Sequence, residues 1–366
     1  MQRSENVQPS SLPYFPNLDG LRFIGFLIVF FSHGYIGTTG LFTEYNYQAA
    51  AGLDLFFVMS AFLITYRLIR EYEIHGRIGL RKFVYRRSLR VWPLYFAVVF
   101  FGFGLHAFLQ SDGNDLEPLP PLWTFLTFTI NFWIVQHGEA FLFFLVFLWS
   151  VCLEEQFYAV LGLLMRYFYF LLVPAALILI VGSVVFRYYH QTESLQQMYN
   201  SMSLMGCFGF GMLLAWIYHK HGHSLFKHLD KQHYLWSIVY VLFFANMYFY
   251  NQLYADASWS YLDRLVIWVF MSLIILGQCA PNKQFLPMGR FASFRYLGKI
   301  SYGLYVYHGI FILLFLQLPI VFEPNGWYHL LFRPLLILGC TIMVSAISYQ
   351  YFEKPFLQWK SRLSGL

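Results

Sequence analysis

The chain has 366 residues, of which 58% are hydrophobic, 22% aromatic and only 11% charged. Soluble domains carry about 25% charged residues, so there is too little charge here for a soluble surface, and repeated apolar stretches of bilayer-spanning length mark a multi-span integral membrane protein. Disorder, a disulfide scaffold and a nucleic-acid-binding domain are excluded, and the net charge of +6 reads as basic loops on one side of a membrane.

Taken in chain order, the apolar runs predict helices at Arg22–Gly37, Leu53–Thr65, Val91–Leu109, Phe147–Met165, Phe168–Val185, Ser203–Trp216, Trp236–Tyr250, Leu262–Cys279, Ser301–Ile320 and Leu330–Tyr351. The fold class is therefore an all-α membrane protein with about ten spans. Leu122–Val135 is also apolar, but it is short and interrupted by Thr127, Thr129 and Asn131. It reads as a re-entrant or interfacial piece. The first run lacks a small-residue cleavage site, so it reads as an uncleaved span rather than a signal peptide. The predicted organisation is a tail at 1–14, one membrane domain at 15–356 and a second tail at 357–366.

Charge orients this set. The connection Tyr66–Arg90 carries Arg67, Arg70, Arg77, Arg81, Lys82, Arg86, Arg87 and Arg90. Later loops on the same side add Lys220, Lys227, Lys231, Lys283, Arg290, Arg295 and Lys299. The opposite side holds mostly acids, with Arg187, Arg264 and Arg333 as exceptions. The positive-inside rule places both termini in the cytoplasm. The four cysteines, Cys152, Cys207, Cys279 and Cys340, have no metal or disulfide spacing. The histidines of His219–His233 (His219, His221, His223, His228 and His233) read as a solvated basic loop, and no metal is expected.

Among the charged or titratable residues inside predicted spans, five stand out: His33, Asp54, Glu154, Glu155 and His308. At about 1.5 Å per residue, His33 lies roughly 16 Å beyond Arg22, Asp54 roughly 20 Å from Arg67, Glu154 roughly 18 Å from Arg166 and His308 roughly 13 Å from Lys299. Four spans thus send an ionisable group towards the middle of a core about 30 Å thick. Such groups are costly and mark function. An imidazole beside a carboxylate can take a proton from a hydroxyl, and His33 with Asp54 or Glu154 would be such a pair. The same residues could relay protons in a transporter or flippase, so both readings stand at this level. Glu154 and Glu155 lie about 100° apart on a helix and do not both face one centre. Arg87 and Arg90 share a helix face and could clamp phosphates, or simply set topology and bind lipid headgroups.

The order of the motifs adds a resemblance. LDGLR at Leu18–Arg22, SHG at Ser32–Gly34, GLDLFFVMSAFLIT at Gly52–Thr65, YRRSLRVWPLYF at Tyr85–Phe96, LWSVCLEEQFY at Leu148–Tyr158, LGKISYGLYVYH at Leu297–His308 and ISYQYFEKPF at Ile347–Phe356 together resemble the acyltransferase-3 family of integral membrane acyltransferases. Ala61 stands where glycine is commoner, and Trp92 is a variant within the usual pattern. The resemblance implies ten spans in the cell inner (cytoplasmic) membrane. It also implies transfer of an acyl group, most often acetyl, from acyl-CoA as co-substrate to a hydroxyl of a cell-surface glycan or lipid-linked saccharide, with no bound cofactor. It puts a catalytic histidine at His33, an arginine pair at Arg87 and Arg90, and a functional glutamate at Glu154. Arg22 is expected to assist in acyl-CoA binding, Asp54 or Glu154 to orient His33, and Ser301, Tyr302 and His308 to contact an oxyanion or the acceptor. Ser32, Ser60 or His33 could carry a covalent acyl group. The family's appended esterase-like domain has no counterpart in these residues, so the expected mechanism does not call on one in this chain. Membrane lipids are expected partners; nucleic acid is not, and the oligomeric state is left open.

Overall fold

The structure is a computed structural model that describes residues 14–34, 49–113, 116–139, 141–229, 234–254, 257–280, 286–317 and 332–364. Among these residues there is no strand. The chain opens with α1 (Pro16–Gly34), α2 (Ala49–His75) and α3 (Leu80–Ser111), followed by three short helices, α4 (Leu122–Leu126), α5 (Ile130–His137) and α6 (Phe143–Val146). Next come α7 (Leu148–Tyr167), α8 (Leu172–Tyr189), α9 (Ser194–Tyr199), α10 (Ser201–Leu229), α11 (Tyr234–Tyr248) and α12 (Tyr250–Tyr254). The last five are α13 (Asp263–Gln278), α14 (Ala292–Lys299), α15 (Ser301–Gln317), α16 (Arg333–Ser348) and α17 (Lys354–Ser364).

Each predicted apolar run falls on a helix. Among the described residues, however, seven helical stretches are long and apolar enough to cross a bilayer, and the bent pair α14–α15 makes up to eight. The sequence predicts ten. The shortfall lies at α11, which has only 15 residues, and at α1, whose predicted run continues to Gly37 beyond the described residues. The Leu122–Val135 run folds as α4 and α5, broken at Phe128, where φ is 55°. That left-handed conformation is costly for phenylalanine. The compensation is visible: the ring packs on Tyr95 at 4.8 Å and Trp92 at 5.7 Å, and Gln156 Nε2 donates to its carbonyl at 2.7 Å. The predicted tail at 357–366 begins inside α17, which is helical to Ser364.

The bundle centre is built by α1, α2, α7, α10, α13 and α15. Here α2 packs against α1, α10 and α13, while α15 packs against α1 and α16. The close approach of α1 and α2 depends on glycine. A Cβ on Gly52 would sit 2.7 Å from the Gly25 carbonyl oxygen and from Val29 Cγ2. Helix α8 lies outside this centre, only 17% of its apolar window being buried, as expected of a lipid-facing helix. Two irregularities then shape one end of the bundle. Helices α14 and α15 meet at a 72° bend around Ile300. A π-helical turn at Tyr349–Glu353 separates α16 from α17, and its wider winding turns Tyr349 and Glu353 towards the interior.

Candidate active site

His33 sits one residue from the end of α1 and His308 in the middle of α15. Their rings meet: His33 Nδ1 lies 3.2 Å from His308 Nε2. Phe147, at the head of α7, stacks on both imidazoles, with ring centroids 4.4 Å from His33 and 4.8 Å from His308. The two imidazole centroids are 5.4 Å apart and nearly parallel, so both lie edge to edge on the same face of Phe147. Phe26 closes the edge of His308 at 6.0 Å and Phe143 that of His33 at 6.4 Å.

The hydrogen-bond order follows from chemistry. His308 Nδ1 lies 2.5 Å from the Tyr305 carbonyl oxygen, which can only accept. Nδ1 of His308 therefore carries the hydrogen, and in the neutral ring Nε2 is the acceptor. His33 Nδ1–H donates to it, which leaves the lone pair of His33 at Nε2. These two hydrogen bonds fix the tautomer of both rings. The carboxylates expected to orient His33 are elsewhere. Asp54 is 1% exposed and receives Arg264 Nη1 at 2.8 Å. Glu154 receives the Tyr158 hydroxyl at 2.8 Å. In a bundle centre this dry, a carboxylate is held by its nearest cation or hydroxyl, and His308 takes the orienting position.

Below the imidazoles a cavity of about 350 Å³ opens between α1, α2, α3, α7 and α15. Along α2 its wall is the stripe Leu53, Phe56, Ser60, Leu63 and Arg67, a helical spacing that spans about 21 Å. The far end is basic: Arg22, Arg67, Arg87, Arg90 and Lys299 line it, against the carboxylates Asp19 and Glu353, with Glu154 lining the cavity beside Tyr158. The Arg87 guanidinium lies over the Tyr158 ring at 4.2 Å, and its Nε is buried without a hydrogen-bond partner among the described residues. Arg22 enters already paired, its Nη1 2.7 Å from Asp19, which also receives Tyr14 at 2.7 Å. At the near end Ser150 and Tyr305 line the cavity, their hydroxyls 2.7 Å apart. Tyr305 joins the two parts, since its ring faces the cavity and its carbonyl receives His308.

The structure therefore brings Arg22, Arg87, Arg90, Glu154, Ser301 and Tyr302 to one cavity, with His33 and His308 next to it, and leaves Asp54 outside. Glu155 points the other way and receives Trp92 Nε1 at 3.0 Å. The Tyr302 hydroxyl is spent on the Val91 carbonyl at 2.9 Å, so it is not a free oxyanion donor, and His308 is paired with His33. Ser32 donates to the Val29 carbonyl at 2.6 Å. Of the histidine-rich segment, His219 lies 2.7 Å from Glu73, while His223, His228 and His233 fall outside the described side chains. The described residues hold no group of three or more His, Cys, Asp or Glu placed for a metal.

Sequence reasoning passed over Arg67, Phe147, Ser150, Tyr158, Tyr305 and Glu353 as site residues. Ser150 and Tyr158 lie inside the glutamate motif and Phe147 just before it, and Tyr305 stands three residues before His308, where one helical turn aligns them. It also passed over a buried network. Arg187 and Asp263, both 2% exposed, pair at 2.7 Å, Tyr250 donates to Asp263 at 2.6 Å, and Arg264 reaches Asp54. Two of the three arginines that break the charge pattern, Arg187 and Arg264, are thus internal partners of buried acids.

Residues 15–350 match the acyltransferase domain family Acyl_transf_3. Over 94% of its length the chain is 23% identical to the peptidoglycan O-acetyltransferase OatA of Listeria monocytogenes, covering 56% of that protein. Over 93% of its length it is 24% identical to the O-acetyltransferase OatA of Staphylococcus aureus, covering 57% of it. The chain spans 56–59% of the length of such curated relatives. No solved structure matches. A match that runs from Phe15 to Gln350, across the imidazole pair and the arginine-lined cavity, makes this chain a member of the acyltransferase-3 family.

Proposed function

We propose that this protein moves an acetyl group from acyl-CoA to a hydroxyl of a cell-envelope glycan or lipid-linked saccharide, with His33 as general base. The observation that carries the reading is the hydrogen-bonded row from the Tyr305 carbonyl through His308 to His33, which leaves His33 Nε2 as the basic atom. In the reaction Nε2 takes the acceptor hydroxyl's proton while its oxygen attacks the thioester carbonyl. The tetrahedral intermediate collapses with cleavage of the C–S bond, and the thiolate leaves with a proton returned from His33. His308 supports the imidazolium that forms between these steps. The five cations at the far end of the cavity suit the phosphates of the donor, and the α2 stripe offers its thioester arm a path towards His33. The O-acetyltransferase names of the relatives agree with acetyl as the group moved and with a glycan as acceptor.

The same reading assigns ten spans, both termini and the arginine end to the cytoplasmic face, and the chain to the inner membrane as one membrane domain at 15–356. Ten helices on ten apolar runs and the one-sided basic loops support it. The test is the protein in proteoliposomes with acetyl-CoA, labelled in its acetyl group, and candidate glycans. Free CoA with label on the glycan, both lost in His33→Ala, is the expected result. Glycan uptake without CoA release would make the protein a transporter and overturn the proposal.

A further inference from the structure

One group in the cavity is unused by this mechanism. Ser60 Oγ lies 2.5 Å from Tyr158 Oη, and that phenol donates to Glu154 Oε2 at 2.8 Å. Because the phenol's hydrogen goes to the carboxylate, its oxygen accepts from Ser60. The chain therefore runs Ser60 to Tyr158 to Glu154 and presents acceptors at both ends, the serine oxygen and the second carboxylate oxygen. Its position is distinctive. Ser60 is seven residues from Leu53 and seven from Arg67, so it stands about 10 Å from either end of the α2 wall. On one side, beginning with Arg87 over the Tyr158 ring at 4.2 Å, lie the cations, and on the other the apolar approach of Leu53, Phe56 and Val151.

We infer that the Ser60–Tyr158–Glu154 chain grips the amide-bearing arm of the acyl donor, Ser60 and Glu154 accepting from the arm's amide N–H groups. The inference rests on the donor assignment above and makes Glu154 a donor-binding residue rather than part of the base. Acyl-CoA offers phosphates at one end, a thioester at the other and secondary amides between them, in the order in which the cavity presents cations, acceptors and apolar wall. A donor with a wholly hydrocarbon arm would strip these three polar groups of water and return no hydrogen bond, which is costly.

The experiment compares two probes on the purified full-length protein: CoA, and adenosine 3′,5′-bisphosphate, which has the nucleotide end and no arm. Ser60→Ala and Tyr158→Phe should each weaken CoA about three- to tenfold, the effect of one neutral hydrogen bond. Both should leave the bisphosphate unchanged, which also shows that the variants fold. Arg87→Ala should weaken both probes. Variants that keep the wild-type ratio of the two affinities would overturn the inference while leaving the donor assignment intact. An acetyl group found covalently on Ser60 after incubation with acetyl-CoA would also overturn it, making the serine a nucleophile. Wild-type protein that binds neither probe would overturn the donor assignment and this inference with it.

Discussion

Replacing His308 with phenylalanine isolates the orienting role of the imidazole pair. A ring remains over Phe147, so packing is largely kept, but His33 Nδ1–H loses its acceptor at 3.2 Å. In the resting protein that bond joins two neutral rings. When His33 takes the acceptor's proton it becomes a bond from an imidazolium, and hydrogen bonds to charged groups are worth about 1.5–3 kcal/mol. The neutral bond of the resting state, worth about 0.5–1.5 kcal/mol, is lost as well, so only the difference of about 1–1.5 kcal/mol falls on the barrier and turnover should drop about five- to 13-fold. His308→Gln, which can still offer an amide oxygen to His33, should recover part of it. The assay is acceptor-dependent CoA release, with thermal unfolding measured alongside to separate rate from stability. A His308→Phe protein that turns over within about threefold of wild type, a difference under 1 kcal/mol in barrier, would refute the relay.

Other substitutions probe the remaining parts. Arg87→Ala with Arg90→Ala should weaken acyl-CoA binding by about two orders of magnitude, at a charge-assisted bond's worth per residue, and titrations at rising salt should show a flatter dependence than wild type. Arg264→Ala strands Asp54 without its cation and should cost about 3–5 kcal/mol of stability; replacing both residues with leucine should restore most of the unfolding temperature together with CoA release. Gly52→Ala forces a methyl to within 2.7 Å of the α1 backbone and should destabilise by about 1–3 kcal/mol, read by thermal unfolding.

Much of the site was legible because burying charge in a membrane leaves a mark in sequence. His33, Glu154 and His308 stand out as ionisable letters in apolar runs, and Arg87 with Arg90 as a pair on one helix face; all five lie at or beside the cavity. Their pairing was not legible. A histidine near carboxylates reads as a histidine–carboxylate pair, but which helix faces which is set by tertiary contacts such as Gly25 against Gly52 and Phe147 against both imidazoles. Asp54 carried the same mark as His33, yet it is held by Arg264, whose place at the start of α13 made it look like a loop charge. The helix count shows the same limit. Each predicted apolar run lies on a helix, but span length depends on where each helix stops, and α11 stops after 15 residues. The π-helical turn that brings Tyr349 and Glu353 inwards has no periodicity signal, since it is a local widening of an ordinary helical pattern.

In the proposed reaction His33 Nε2 removes the acceptor's proton during acetyl transfer. The most direct measurement is single-turnover transfer from labelled acetyl-CoA to glycan by His33→Gln, with acetyl-CoA affinity determined on the same preparation. The expected result is unchanged affinity with transfer slowed by about 10²–10⁴-fold, the contribution of a general base. Transfer at the wild-type rate with His33 replaced would contradict it.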